Sequence, residues 1–228
     1  MTNEILYSFR RCPYAMRARW AILLCQKQVK LREIRLSNKP SELIKASKKA
    51  TVPILVLEDG TVIDESLDIM SWAIKSSSKR KTFLNENEEK SQDIYELIKE
   101  NDNVFKYHLD RYKYPNRFKN IVPEDHNHAL KEILRRWEKK IEISSSESSM
   151  HCLVWARETI ADWCIWPFVR QYRLVNPEGF DNDKDLLKMK LWLNYYLNHS
   201  LYPVLMKKNK FWECSNQEEI FPAEIKNT

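Results

Sequence analysis

The residue with the clearest chemical potential in this chain is Cys12, which stands between an apolar run and a helix-like segment. Residues 5–9 are typical of a short buried strand, and Pro13 followed by residues 15–19 is typical of the start of a helix. Cys12 is therefore predicted to lie at a helix N-terminus, where unpaired backbone N–H groups and the helix dipole favour an anion. A free thiol of pKa about 8.5 is only ~3% thiolate at neutral pH, and this position lowers the pKa of a thiol by one to several units. We expect Cys12 to be a nucleophile.

Three arginines, Arg10, Arg11 and Arg17, surround Cys12 in sequence and would add positive potential to the same place. The alternative is that Cys12 is a small buried hydrophobic residue, as most intracellular cysteines are. On these residues alone both interpretations stay open.

A second segment places a proline at the start of a strand. Residues 51–57 form an apolar strand-like run that contains Pro53, and Asp59-Gly60 then joins it to a second short strand, which is a strong hairpin signal. A cis Val52–Pro53 bond would turn the Val52 backbone N–H and C=O outward, free to pair with an extended peptide. An ordinary trans proline that opens a strand is the commoner alternative.

A third segment, residues 64–74, predicts a helix with an acidic first turn. Ser66 and the amides beside it would hold a carboxylate at the start of this helix, while Glu65 would pair with an ammonium group. Those are the two charged groups on the α-carbon of an amino acid. The alternative is simple helix capping and compensation of the dipole by acidic residues.

Together these segments resemble the glutathione S-transferase superfamily, and specifically its cysteine-type members near the omega class and the two-domain glutaredoxin-2-like proteins. The resemblance lies in residues 11–19, the Asn38-Lys39-Pro40 element, Thr51-Val52-Pro53 and Asp64-Glu65-Ser66. It covers about the first third of the chain strongly and the helical remainder more loosely.

The resemblance implies a set of roles around glutathione. Cys12 is similar to the family's catalytic cysteine, which forms a mixed disulfide with glutathione, and Val52 with a cis Pro53 is similar to the backbone clamp on its cysteinyl part. Glu65 and Ser66 resemble the residues that bind the γ-glutamyl group, and Lys39 resembles a lysine that meets the glycine carboxylate. Tyr7 matches the activating tyrosine of other relatives poorly, and we assign it no catalytic role.

Ala15 is informative because it occupies the position of a second cysteine in a C-x-x-C pair. A lone thiol cannot resolve its own mixed disulfide, so a second glutathione has to complete the cycle, which makes the expected mechanism monothiol. Cys25 is no substitute, because thirteen residues of helix at ~1.5 Å per residue would carry it about 20 Å away. Spacing excludes none of Cys152, Cys164 and Cys214, but nothing around them indicates a role.

Composition bounds the class of protein. The five cysteines have no paired spacing, which favours a reducing compartment, and the sequence shows neither a basic-then-apolar leader nor a membrane-length apolar stretch, so we expect a cytoplasmic protein without membrane contact. The net charge of +6 is spread among acidic residues, which favours solvated helix faces over a nucleic-acid groove. His126 and His128 would lie on different helix faces and His151 has no second close ligand, so no metal is expected.

The predicted fold class is α/β plus all-α, with three parts. A thioredoxin-like βαβ-ββα domain that binds glutathione covers residues 1–76, a linker 77–86, and an all-helical glutathione S-transferase C-terminal domain 87–228. The predicted elements of the first domain are strands 4–9, 30–36, 54–57 and 61–64, with helices 13–27, 40–48 and 65–76. Later helices are expected at 87–112, 126–144, 158–175, 183–198 and 200–209.

Two further features belong to the second part. Thr159 and Asp162 have the spacing of a capping box, which is a structural element and resembles the family's signature on the central helix of that domain. Tyr107, Tyr112, Tyr114 and Phe118 are interpreted as core residues or as the wall of a second-substrate pocket, and the sequence leaves both open.

The sequence thus favours a glutathione-dependent transferase, or thiol–disulfide oxidoreductase, in which Cys12 forms a mixed disulfide with glutathione. Its second substrate would be a small electrophile, disulfide or glutathionylated compound, and the resemblance allows a homodimer as well as a monomer. The alternative is a non-catalytic binding or regulatory protein on the same fold. Cys12 and the complete tripeptide-binding set argue against that alternative, because a scaffold has no need of a nucleophile.

Overall fold

The chain is described by a computed structural model that covers residues 2–77, 91–145, 150–214 and 217–223. Contacts divide it into two compact units, one of Met1–Leu84 with Ser200–Thr228 and one of Asn85–His199. The predicted linker 77–86 lies almost entirely outside the described residues, so the boundaries at 76 and 87 stay predictions. No helix in the described part of the chain is long and apolar enough to cross a membrane.

The first unit is a sheet covered by helices. Its elements in chain order are β1 (Ile5–Ser8), α1 (Pro13–Leu24), β2 (Val29–Glu33), α2 (Ser41–Ala46), β3 (Ile54–Val56), β4 (Val62–Ile63) and α3 (Ser66–Lys75). These bounds agree with the predicted elements to within a few residues. The βαβ-ββα order is thioredoxin-like, and the predicted fold class is confirmed.

The sheet has a fifth strand that the sequence analysis did not predict. After a short helix at Tyr202–Leu205, the chain returns as a strand at Glu219–Phe221, here called β5. It pairs antiparallel with β2, with Leu31 opposite Glu219, and the complete strand order is β4-β3-β1-β2-β5. Since β1 pairs parallel with β2 and antiparallel with β3, the sheet is mixed. The part of the chain after residue 199 is therefore not wholly helical.

The core of this unit packs on the central strand. Tyr7, Ile34, Leu43, Val52 and Ile54 form a buried cluster, against which Cys12 packs. Helix α1 is buried on almost every side, with Arg17 and Arg19 among its buried residues, which explains why its sequence does not divide into one apolar and one polar face.

The described residues of the second unit form helices joined by irregular segments, and they include no strand. Its elements are α4 (Gln92–Glu100), a π-helical turn (Asn101–Phe105), α5 (Lys106–Lys113), a 3₁₀ turn (Pro115–Arg117), α6 (Pro123–Ser145), α7 (Ile160–Arg173), α8 (Pro177–Asp181) and α9 (Leu187–Leu197). The short helix at Tyr202–Leu205, α10, belongs to the first unit. The sequence analysis missed α8 and the π-helical turn, which interrupts the predicted helix 87–112.

Two buried carboxylates organise the second unit. The predicted capping box is present at the start of α7. Asp162 there accepts the Thr159 N–H at 2.9 Å, the Leu153 N–H at 2.8 Å and the Trp192 indole N–H at 2.9 Å, so it ties three segments together. Glu138 in α6 accepts the N–H groups of Lys188 and Met189 at 2.7 and 2.6 Å and so caps α9 from a neighbouring helix.

Candidate active site

Cys12 lies at the start of α1, where the sequence analysis placed it. It is the N-cap residue, with φ −73° and ψ 122°, and Pro13 is the first helical residue. The Cys12 N–H donates to Phe9 O at 3.0 Å, which closes the turn after β1, while Cys12 O accepts the Met16 N–H at 2.9 Å. The first turn contains no acidic residue, so the partial positive charge of the helix end is not compensated by a carboxylate there. The side chain is half-buried.

The Val52 carbonyl meets the Cys12 thiol. Cys12 Sγ lies 3.6 Å from Val52 O, at the distance of a weak S–H···O hydrogen bond. The Val52–Pro53 bond is cis, as the resemblance implies, and Val52 itself is buried at 9% exposure. The structure thus brings together two predicted site residues that are forty positions apart in sequence.

A buried ion pair holds the turn that carries Cys12, and the sequence analysis missed it. Glu33 at the carboxyl end of β2 accepts the Arg10 N–H at 2.6 Å, while the Arg19 guanidinium donates to Arg10 O at 2.6 Å. The two side chains face each other, with Arg19 Nη1 3.9 Å from Glu33 Oε2, and are 0% and 5% exposed. The backbone N–H and C=O groups of Arg10, in the β1–α1 turn, are therefore each bound by a buried charged side chain.

The signal for this pair was present in the sequence. Arg19 is flanked by Ala18 and Trp20 in a helix of apolar and small residues, and a charged residue in such a setting needs a buried partner. No spacing rule points from it to Glu33, which lies on another element. Burial raises the pKa of Glu33, against the opposing effects of the Arg10 N–H and the two arginines.

The other arginines near Cys12 differ in environment. Arg17 is completely buried, with its guanidinium 5.1 Å from the centre of the Tyr14 ring. Arg11 is exposed and lies 5.7 Å from the Phe9 ring. Of these two arginines, Arg11 is therefore the one whose side chain is exposed to solvent.

The start of α3 has the predicted acidic character. Glu65 is the N-cap residue and Ser66, 6% exposed, is the first helical residue. Lys49 donates to Glu65 at 2.5 Å and to Asp64 at 3.3 Å, a pairing that sequence spacing did not indicate. Lys39 is exposed on the connection between β2 and α2, and its predicted role stays a prediction.

The hydroxyl and the ring of Tyr7 both contact other side chains. Its hydroxyl accepts a hydrogen bond from Arg32 at 2.6 Å, and its ring meets Trp212 edge-on at 6.3 Å. Burial raises the pKa of Tyr7 above its ordinary value of 10.0, although Arg32 opposes this. That Tyr7 has no catalytic role stays a prediction.

The four remaining cysteines differ from Cys12 in burial. Cys25, Cys152 and Cys164 are buried, and Cys214 is exposed. Burial raises the pKa of Cys152 strongly, which keeps it protonated. Across the described ranges, no group of three or more His, Cys, Asp or Glu side chains is arranged to hold a metal ion.

Two of the aromatic residues between 107 and 118 lie against a guanidinium group. The Arg111 guanidinium lies 3.4 Å from the Tyr107 ring centre and 4.4 Å from that of Phe118. Tyr107 is 48% exposed, so it is not a core residue. A role for this group in a second-substrate pocket stays a prediction.

Comparison with protein families finds a match in the N-terminal part of the chain. Residues 6–81 match the family model for the N-terminal domain of glutathione S-transferases. No curated protein sequence matches the chain.

Solved structures share the fold across both units. A Tau class glutathione S-transferase from mango, Mangifera indica, superposes with a TM-score of 0.74 at 16% identity, over 90% of this chain and 93% of that one. A glutathione S-transferase from Methylobacillus flagellatus with bound glutathione gives 0.74 at 14% identity, over 89% and 98%. Ure2p in complex with S-hexylglutathione gives 0.76 at 12% identity, over 90% and 99%. The chain therefore has the glutathione S-transferase fold, and its N-terminal domain matches the family model of those proteins.

Proposed function

We propose that this protein is a glutathione-dependent thiol transferase with Cys12 as its single reacting thiol. The observation that carries the proposal is the 3.6 Å contact between Cys12 Sγ and Val52 O, at a helix N-terminus without acidic residues. It joins the candidate nucleophile to the backbone group that would bind the cysteinyl part of glutathione.

The reaction consists of two thiol–disulfide exchanges. The Cys12 thiolate attacks the glutathionyl sulfur of a mixed disulfide RS–SG, so that the Cys12–SG bond forms, the RS–SG bond breaks and the electron pair leaves with RS⁻, which takes a proton from solvent. A second glutathione, as its thiolate, then attacks the glutathionyl sulfur of Cys12–SG. Glutathione disulfide leaves and the Cys12 thiolate returns, so the net change is RSSG + GSH → RSH + GSSG.

The need for a second glutathione follows from Ala15, which is buried and occupies the place of a resolving cysteine. Cys25, Cys152 and Cys164 are buried and so have no access to thiols in solution, which leaves the exposed Cys214 for the control experiment below.

The tripeptide would be held at its two ends and its middle. Val52 would pair with the cysteinyl backbone, the α3 N-terminus with Ser66 would hold the γ-glutamyl carboxylate, and Glu65 its ammonium group. Lys49 already contacts Glu65, so this ammonium group has to share the carboxylate with Lys49. Lys39 would meet the glycine carboxylate.

The experiment is a glutathione-dependent assay on the mixed disulfide of glutathione and 2-mercaptoethanol. We expect Cys12→Ser to lose activity and Cys214→Ser, a matched change at an exposed cysteine, to keep it. Mass spectrometry of the unmodified chain should find one glutathionyl group on Cys12 when glutathione is limiting. Alkylation by iodoacetamide as a function of pH should show a midpoint for Cys12 below the ordinary thiol pKa of about 8.5.

Equal activity of Cys12→Ser and the unmodified chain would refute the exchange mechanism. Glutathione binding with no turnover of any disulfide or electrophile would favour the alternative, a non-catalytic binding protein on this fold.

A further inference from the structure

The strand order gives Cys12 two different flanks within the first unit. Cys12 follows the central strand β1, which has β3 on one side and β2 on the other. Of the predicted glutathione residues, Val52, Glu65 and Ser66 belong to the β3 side, since they precede β3 or follow β4, whereas Lys39 follows β2. The β2 side is bordered by the segment before β5, which is fixed there by the hydrogen bond from Trp212 N–H to Glu33 O at 2.7 Å.

A groove of about 780 Å³ opens on the β2 side of the Cys12 turn. Its walls include Phe9, Arg10 and Arg11, the three residues before Cys12. Residues 208–211 and 213, from the irregular segment before β5, also line it. A volume of this size suits a small organic ligand, because such sites measure about 300–1,000 Å³.

The charge of this groove is strongly positive. Five cationic residues line it against two acidic ones, and the cations are Arg10, Arg11, Arg35, Lys208 and Lys210. One of the acids, Glu33, is 4% exposed and faces the Arg10 N–H and Arg19, so its charge is already matched. The other, Glu213, is exposed. Among the described residues, Arg11, Arg35, Lys208 and Lys210 have no ion pair with a carboxylate, so their charges are available to a ligand.

Two of the cations lie against aromatic rings in the groove wall. The Arg35 guanidinium is 4.7 Å from the centre of the Phe211 ring, and Phe211 is 40% exposed. Arg11 bears the same relation to Phe9 at 5.7 Å. A guanidinium over a ring keeps its in-plane N–H donors free, and these donors match the two oxygens of a carboxylate.

We propose that this groove binds the leaving group of the second substrate and that this group carries carboxylates. The inference rests on the proposed function: in RS–SG the glutathionyl part would occupy the β3 side of Cys12, and the R group would lie on the β2 side, in the cationic groove. The substrate class is thus a mixed disulfide between glutathione and a small thiol with one or more carboxylate groups. When Cys12 attacks, the groove also stabilises the negative charge that develops on the departing thiolate.

The test compares two substrates that differ in the charge of R, namely the mixed disulfides of glutathione with mercaptosuccinate and with uncharged 2-mercaptoethanol. The quantity measured is the ratio of their kcat/KM values at low ionic strength. We expect Lys208→Glu/Lys210→Glu to lower this ratio about tenfold or more, as charged clefts change association rates by such factors. Glu213→Lys, which removes an acid from the groove, should raise the ratio. The matched control is Lys119→Glu/Lys140→Glu, two exposed lysines of the second unit, and it should leave the ratio unchanged.

Salt provides a second readout of the same interaction. At about 0.5 M salt the Debye length falls to roughly 4 Å, so the preference of the unmodified chain for the dicarboxylate should largely disappear while turnover of the neutral substrate persists. If the charge reversal impairs folding, Lys208→Gln/Lys210→Gln is used in its place. It should also lower the ratio of the two kcat/KM values, by a smaller factor.

A binding arm separates failure of this inference from failure of the proposed function. The thioether of glutathione with succinate has no disulfide to exchange, and its affinity is measured by calorimetry in the Cys12→Ser background. Weaker binding in Lys208→Glu/Lys210→Glu supports the groove even if no disulfide is turned over. An equal affinity with and without the two lysine changes would overturn the inference. A kcat/KM ratio that is insensitive to the groove variants while both substrates react would also overturn it, and would leave the Cys12 mechanism standing.

Discussion

Replacing Arg19 by methionine tests whether the buried ion pair holds the turn that presents Cys12. Methionine fills a similar volume without charge, so the change removes the cation 3.9 Å from Glu33 and the donor to Arg10 O. At an effective dielectric constant of about 20, two charges this far apart interact by roughly 4 kcal/mol. Breaking a buried pair from one side costs about 3–5 kcal/mol. Since folded proteins are stable by only about 5–15 kcal/mol, we expect a large loss in the free energy of unfolding.

The assay is urea unfolding followed by tryptophan fluorescence, in a double-mutant cycle with Glu33→Gln. Glutamine keeps an oxygen acceptor for the Arg10 N–H and removes the charge, so the double variant should be more stable than the sum of the single changes predicts. We expect a coupling energy above about 1.5 kcal/mol. The rate of Cys12 alkylation should change in Arg19→Met as well, because the turn that carries the thiol loses one of its two supports.

The pH dependence of this effect has a definite sign. Burial raises the pKa of Glu33 above its ordinary value of 4.5, so the folded protein binds more protons than the unfolded chain just above that value. The contribution of Glu33 to stability therefore falls as pH rises through this window. Removing Arg19 raises the pKa of Glu33 further, so Arg19→Met should be less destabilising near pH 5, where a larger fraction of Glu33 is protonated, than at pH 8. Additive single changes within about 0.5 kcal/mol, or an equal loss of stability at both pH values, would refute the reasoning.

Three further predictions concern parts of the fold away from Cys12. Thr159→Ala should lower the free energy of unfolding by about 1 kcal/mol or somewhat more and leave the rate of Cys12 alkylation unchanged. Thr159→Ser is the conservative control, and a changed rate of Cys12 alkylation in Thr159→Ala would contradict the prediction. Glu138→Ala should cost about 2–3 kcal/mol in urea unfolding, because two helix-end N–H groups lose a charged acceptor, and Glu138→Gln should cost less; equal losses would contradict the role of the charge. Deletion of residues 217–228 should uncover the edge of β2 and cause concentration-dependent association in light scattering, whereas a monodisperse product would show that the edge needs no cover.

The first unit was predictable because its elements are local. Strands of two to five residues between turn signals, and helices with clear starts at Pro13 and Ser66, follow from the chemistry of short stretches. The same holds for the capping box at Thr159, whose two members are three residues apart. Cys12 at a helix N-terminus was likewise a prediction from a few adjacent residues.

The missed features depend on residues far apart in sequence. Strand β5 has only three residues and no periodic pattern, and its place follows from pairing with β2. The Glu33–Arg19 pair joins a strand to a helix, and Lys49 reaches Glu65 from the loop after α2. Pairings of this kind depend on where the fold brings the elements, and no local pattern encodes them.

The pairing of β5 with β2 also constrains when the molecule can be completed during synthesis. The ribosome makes β1 to α3 first and the helical unit next, and only then the residues that add the last strand. Until those residues emerge, one edge of the nascent sheet lacks its neighbour, and the segment 208–213 cannot take its place beside the β1–α1 turn. The local contacts of the helices form quickly, whereas closure of so long a loop is slow. A newly made chain would therefore possess its thiol well before it possesses the groove that we propose as the site for the second substrate.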